Sequence, residues 1–151
     1  IRRKGKFAPG FLERHLPLWI GPALVGSFHI LLADLGGVRS AENAEILWHC
    51  TDQIILSSKD EDIELWSNFA GAEKCNTLAR FRSELVKVPG SDELDLTARS
   101  EVKISGDSIT GTFRNLDRGK ETDTAEIKLL RRECYRQAVS QFADWLITKN
   151  T

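Results

Sequence analysis

The sequence predicts an α/β fold: three layers with a mainly parallel sheet, flanking helices, a β-hairpin and a long C-terminal helix. Three observations carry that expectation. Residues 25–34 form a mostly apolar run without alternation, closed by Leu35-Gly36-Gly37, which is how a parallel strand buried on both faces reads. Residues 28–83 then alternate strand-like and helix-like segments over short connections, the rhythm of a parallel sheet covered by helices. After Pro89-Gly90-Ser91-Asp92, a turn, the pattern switches to period-two alternation and then to helical spacing.

Each element has a local reason. Phe11, Leu12, His15, Leu16 and Trp19 fall near helical spacing, and Pro17 and Pro22 keep any helix there short. Ser40 is placed to cap a helix over 41–50, with Ile46, Leu47 and Cys50 on one side. Gln53-Ile54-Ile55-Leu56-Ser57 is a short apolar strand. Lys59-Asp60-Glu61-Asp62 opens the next helix, where acidic residues suit the macrodipole, and Gly71 is its expected end. Its apolar face is Ile63, Trp66, Phe69 and Ala70. Asn76-Thr77-Leu78-Ala79-Arg80-Phe81 reads as a third strand. Residues 101–104 and 108–113 alternate around Ser105-Gly106-Asp107, a hairpin signal. Ile127, Leu130, Cys134, Ala138, Phe142, Trp145 and Leu146 keep helical spacing through one helical segment over 123–149.

Length and composition bound the function. A chain of 151 residues fits one domain, 1–151, since domains run at about 100–200 residues. With 41% apolar and 28% charged residues it is no disordered tail, collagen-like repeat or coiled coil. Twenty-one basic against 22 acidic residues give a net charge of −1, without the basic excess of a general nucleic-acid binder. The basic start, Arg2, Arg3, Lys4 and Lys6 with Phe7 and Phe11, is the local exception, although charge runs at chain ends are more often merely solvated. No apolar run reaches the roughly 18 residues of a membrane span, so no membrane partner is expected. The absence of Met and the opening Ile1-Arg2-Arg3-Lys4 suggest a piece of a longer polypeptide.

The cysteines and histidines offer little catalytic spacing. Cys50, Cys75 and Cys134 are odd in number and lie 25 and 59 apart, unlike a structural zinc site. Without a secretory signal, they indicate reduced thiols and a cytoplasmic location. Cys50 and Cys134, in apolar stretches, read as core residues. His29 reads as a core residue, and His49 beside Cys50 does not face it on a helix. The four tryptophans, Trp19, Trp48, Trp66 and Trp145, read as core or interface anchors. Lys128, Arg131, Arg132 and Arg136 interleave with the last apolar stripe, as an exposed basic face or a helix-packing surface does.

The strongest motif is Ile30-Leu31-Leu32-Ala33-Asp34-Leu35-Gly36-Gly37. Apolar residues ending in Asp resemble a Walker B strand, which fixes a carboxylate beside Mg²⁺ and the β/γ-phosphates. The plainer reading of the same residues is Asp34 capping a turn, with Gly36 and Gly37 serving a tight bend. Residues 30–69 further resemble the ParA/MinD-like branch of the P-loop ATPases, with Thr51-Asp52-Gln53-Ile54-Ile55-Leu56-Ser57-Ser58 as the following strand. Several segments look like a P-loop domain of type III CRISPR-associated proteins. They are Asp34-Leu35-Gly36-Gly37 with Ser40, Glu42 and Asn43, then Ile54 to Ser58, Glu64-Leu65-Trp66 with Phe69, and Leu116-Asp117-Arg118-Gly119. In that group the domain is often fused to a ring nuclease acting on cyclic oligoadenylates.

The resemblance spans roughly residues 1–120 and implies an accessory nucleotide-binding role in CRISPR-linked antiviral signalling. It makes Asp34 the catalytic and Mg²⁺-side carboxylate. It makes Gly36, Gly37 and Arg118 contacts to ATP, and it implies a homodimer or a partner chain. The chain departs from the family in lacking Gly-x-x-x-x-Gly-Lys-[Ser/Thr], the phosphate loop, so ATPase activity stays open. Arg118 also reads as part of a surface turn. The competing expectation is a non-catalytic protein-interaction domain on the same scaffold. A third is a cyclic-nucleotide or RNA-end enzyme using acidic residues without a P-loop.

Overall fold

The structure, a computed structural model, describes residues 33–69, 72–116 and 123–149. The basic start, His15, Trp19, His29, most of the 25–34 run, Gly71 and Arg118 lie outside the described residues. Two compact units divide the chain: Ile1–Thr51 with Asn68–Asn76, and Asp52–Ser67 with Thr77–Thr151.

Among its described residues, the first unit holds α1 (Ala41–Trp48) and a 3-10 turn (Ala72–Lys74). Ser40 caps α1 as expected, its Oγ accepting the Asn43 N–H at 3.3 Å. Asn43 is 3% exposed and its Nδ2 donates to Leu35 O (2.8 Å) and Val38 O (2.6 Å). One side chain thus holds the preceding bend against the helix. Ile46, Leu47 and Ala72 are buried. Lys74 Nζ sits 3.3 Å from the centre of the Trp48 ring, a cation–π contact that lets a half-exposed indole stay at the surface.

The second unit is a mixed α/β sheet with flanking helices. Its strands are β1 (Asp52–Ser57), β2 (Asn76–Glu84), β3 (Glu101–Ser105) and β4 (Ser108–Arg114), in the order β1-β2-β4-β3. β2 and β4 are parallel, and β3 and β4 are antiparallel. Asn76 N–H donates to Thr51 O (2.9 Å) and Gln53 Nε2 to Thr77 Oγ1 (3.0 Å), so β1 and β2 start side by side and run the same way. Each half of this ladder was expected from local pattern. The β3–β4 hairpin turns on Gly106, whose φ of +56° is the left-handed geometry such two-residue turns require.

Alternation along β2 sets up two faces. Ala79 and Phe81 are buried, whereas Arg80 and Arg82 are exposed. Helix α2 (Asp60–Ser67) meets the arginine face: Arg82 Nη1 bonds Asp60 Oδ2 at 3.0 Å and Arg80 Nε bonds Ser67 Oγ at 3.4 Å. The opposite face carries the core of Ala79, Phe81, Ile109 and Phe113, covered by Ala138, Phe142 and Trp145. Phe81 meets Phe113 and Phe142 edge to face, at centroid distances of 4.8 and 5.2 Å. Helices therefore lie on both faces of the sheet.

The C-terminal helical region differs from the single helix expected. It is two helices, α3 (Ala125–Glu133) and α4 (Arg136–Lys149), broken at Cys134-Tyr135. The cause is tertiary: the Cys134 carbonyl accepts the Ser100 N–H at 2.6 Å. Cys134 is 1% exposed, as a core cysteine. Arg131 does not join an exposed basic face, because its Nε lies 3.1 Å from Asp123 Oδ2 and both side chains are nearly buried.

Segment 85–100 forms a folded loop between β2 and β3. Lys87 and Leu94 pair as an antiparallel bridge around the Pro89-Gly90 turn, where Gly90 has φ +76°. Asp95 closes a further turn. The Thr97 hydroxyl (2.6 Å) and backbone N–H (2.9 Å) both donate to its carboxylate and hold it below the usual carboxylate range.

Candidate functional site

Asp34 and the two glycines after it form a bend. Ala33 to Leu35 carry no strand; Asp34 is exposed, and its Oδ1 accepts the Gly36 N–H at 2.9 Å. Gly36 has φ +66°, a backbone angle that favours glycine, with open space around it. The carboxylate therefore clamps its own turn, the plainer of the two readings of this motif. The bend leads through Gly37 into the Ser40 cap of α1. Arg118, the third nucleotide contact that the resemblance implies, lies outside the described residues. Among the described residues, no group of three or more His, Cys, Asp or Glu side chains could hold a metal ion.

His49 and Cys50 do not act together. His49 Nε2 approaches Glu45 Oε1 at 3.6 Å, whereas Cys50 Sγ turns to Ile46 O at 3.4 Å. Burial pushes the Cys50 thiol up, away from a reactive thiolate.

The second candidate lies in the sheet unit. Val102 and Ile104 of β3, with Gln141, Asp144, Trp145 and Thr148 of α4, line an open groove of about 410 Å³. It exists because α4 crosses the core face of the sheet and leaves Ile104, 55% exposed, beside it. Lys149 fixes the far end of α4, with Nζ 3.0 Å from Asp107 O and 5.1 Å from the centre of the Trp145 ring.

Along the groove runs β3, the outermost described strand on that side of the sheet. Glu101, Lys103 and Ser105 share the face opposite the groove, and all three are exposed. Arg114 Nη2 reaches Glu101 Oε1 from behind at 3.4 Å. The edge thus offers backbone groups for pairing, an apolar row on one face and an acid–base pair on the other. Sequence reasoning found the hairpin but not this edge, because strand order decides which of its two strands is outermost.

Comparison with protein-family models, with curated proteins and with solved structures returns no match.

Proposed function

We propose that the domain is a non-catalytic protein-interaction module that pairs with a second copy of itself through the edge of β3. The charge order on that edge carries the reading. In an antiparallel pairing about a two-fold axis at Val102, Glu101 lies opposite the partner's Lys103, and Lys103 opposite the partner's Glu101. Val102 then meets its own copy. Both contacts come from one patch, as a closed two-fold interface requires. Shifting the axis to Lys103 would set the two lysines against each other, so charge selects one register. A lysine on a short edge strand also discourages indiscriminate pairing, and Glu101 removes that obstacle for one partner only.

Sedimentation over a range of concentrations tests this. The chain is expected to dimerise, and Lys103→Glu to weaken the dimer about 10- to 100-fold, because two cross-strand pairs of about 0.2–1 kcal/mol each turn from attraction to repulsion of similar size. Exchanging the charges, Glu101→Lys with Lys103→Glu, should restore much of the affinity. Full recovery is not expected, since a lysine at 101 faces Arg114. A chain that stays monomeric, or a dimer indifferent to Lys103→Glu, overturns the proposal.

A nucleotide role at the Asp34 bend has one observation in its favour: an exposed carboxylate and two glycines directly before a capped helix. Calorimetry with Mg·ATP on the chain and on Asp34→Ala separates the two readings. The interaction module predicts no micromolar binding that depends on Asp34. Such binding, lost in the variant, would move the function to this bend and restore ATP and Mg²⁺ as ligands.

A further inference from the structure

We propose that Cys50 and Cys75 are an oxidation-responsive thiol pair that closes to a disulfide when a peroxide reaches it. All three cysteines of the chain are thiols in this structure, and Cys50 and Cys75 are half-buried where Cys134 is buried. The two half-buried sulfurs converge on the same helix end. Cys50 Sγ lies 3.4 Å from Ile46 O, and Cys75 Sγ lies 3.1 Å from Leu47 O and 3.2 Å from the carbonyl oxygen of Cys50 itself.

The backbone brings them together for a separate reason. Asn76 N–H donates to Thr51 O at 2.9 Å, so the residue after one cysteine is bonded to the residue after the other. Cys50 and Cys75 lie just before β1 and β2; the strand spacing of about 4.8 Å and rise of about 3.3 Å per residue, carried back to them with an offset of one, give a Cα separation of about 6 Å. That falls inside the roughly 4.4–6.8 Å that disulfides span. The Cys75 N–H is itself bonded to Ala72 O at 3.0 Å, which fixes the 3-10 turn that delivers it.

The chemistry balances with hydrogen peroxide as oxidant. Cys75, and not the Cys50 thiol that burial pushes up, attacks a peroxide oxygen as thiolate, breaks the O–O bond and becomes a sulfenic acid, and the hydroxide released takes up a proton to give water. The second sulfur then attacks the sulfenic sulfur and expels the oxygen as a second water. Two thiols are oxidised to one disulfide, and one peroxide is reduced to two waters. The bond would join the start of β1 to the start of β2, closing the segment that carries α2.

The test uses the unmodified chain. It is treated with equimolar hydrogen peroxide, denatured, alkylated and weighed, then digested without reductant. One alkylated cysteine per chain is expected in place of three, with a Cys50 peptide joined to a Cys75 peptide. Melting of the oxidised chain should rise by roughly 5–10 °C and return on reduction. Cys75→Ser should keep two alkylated cysteines after the same treatment, and Cys50→Ser should keep one, with Cys75 left as a sulfenic acid that dimedone captures. Three alkylated cysteines in the oxidised chain, a link that includes Cys134, or a link between two chains overturns the proposal.

Discussion

Gly111→Ala is expected to destabilise the protein by about 2–3 kcal/mol, the cost of forcing a side chain into a filled space. Gly111 is in mid-strand in β4, between Phe81 of β2 and Val102 of β3. A Cβ there would run into the carbonyl oxygen of Glu101 and come within 3.0 Å of the Val102 Cα. Both obstacles are backbone, so no rotamer change relieves them; β3 itself has to move. A glycine inside a strand marks such a close approach of another backbone. For a chain of this length the melting temperature should fall by roughly 5–10 °C. The amides of β3 should lose hydrogen-exchange protection before those of β2. Gly36→Ala is the control, because its space is open and only its φ of +66° opposes a side chain. It should cost about 1 kcal/mol. Equal effects at the two positions would mean that β3 yields freely, and the close approach would then carry no stability.

The elements that were legible in the sequence are those whose causes are local. Ser40 caps α1 because an oxygen at that position satisfies an orphan N–H. Three acidic residues begin α2 where the helix dipole favours them. Alternation about Gly106 makes a hairpin whatever lies beside it. The break at Cys134 has no local cause. Leu130, Cys134, Ala138 and Phe142 continue an unbroken four-residue spacing through it. Only the Ser100 N–H, from 34 positions earlier in the chain, takes the carbonyl that a continuous helix would have used.

The candidate sites were less legible, for the same reason. The Asp34 motif has one sequence and two physical meanings: a carboxylate offered to a metal, or a carboxylate closing a turn. One Asp34 oxygen closes the turn on the Gly36 N–H, and sequence alone does not separate the two meanings. The edge character of β3 depends on β4 returning beside β2, a long-range choice. Cys50 and Cys75 lie 25 residues apart, a spacing that suggests nothing until β1 and β2 begin side by side. Chemistry assembled by topology is invisible to motifs, which register only neighbours in the chain.

Asn115→Ala should be among the most damaging single substitutions in the second unit, at about 2–4 kcal/mol. Asn115 is completely buried, and its backbone lies in the left-handed region with φ +56°. Its side chain joins two strands of the 85–100 loop: Oδ1 accepts the Val86 N–H at 2.9 Å, and Nδ2 donates to Asp95 O at 2.8 Å. Its own N–H donates to Glu84 O at 2.8 Å, continuing the pairing of β2 and β4. Alanine strands the Val86 donor, at about 1–3 kcal/mol for a group left buried and unpaired, and leaves the Asp95 carbonyl with the Ala98 N–H alone, at 3.2 Å. It also meets the left-handed backbone with a Cβ and no local hydrogen bond, worth about 1 kcal/mol more. Glycine removes that last cost alone, so Asn115→Gly should recover about 1 kcal/mol of the loss in urea titrations. Asn115→Asp separates donor from acceptor. The carboxylate keeps the Val86 bond but turns a second oxygen on Asp95 O, and burial raises its pKa. Protonated, it regains a donor for that carbonyl. Because the folded pKa lies above the unfolded one, this stability is complete in acid and is lost as pH rises through the folded pKa. Asn115→Asp should therefore melt closest to the parent at low pH and fall away towards neutrality. If Asn115→Ala and Asn115→Gly melt with the parent, the 85–100 loop is held by its own turns and not by this side chain.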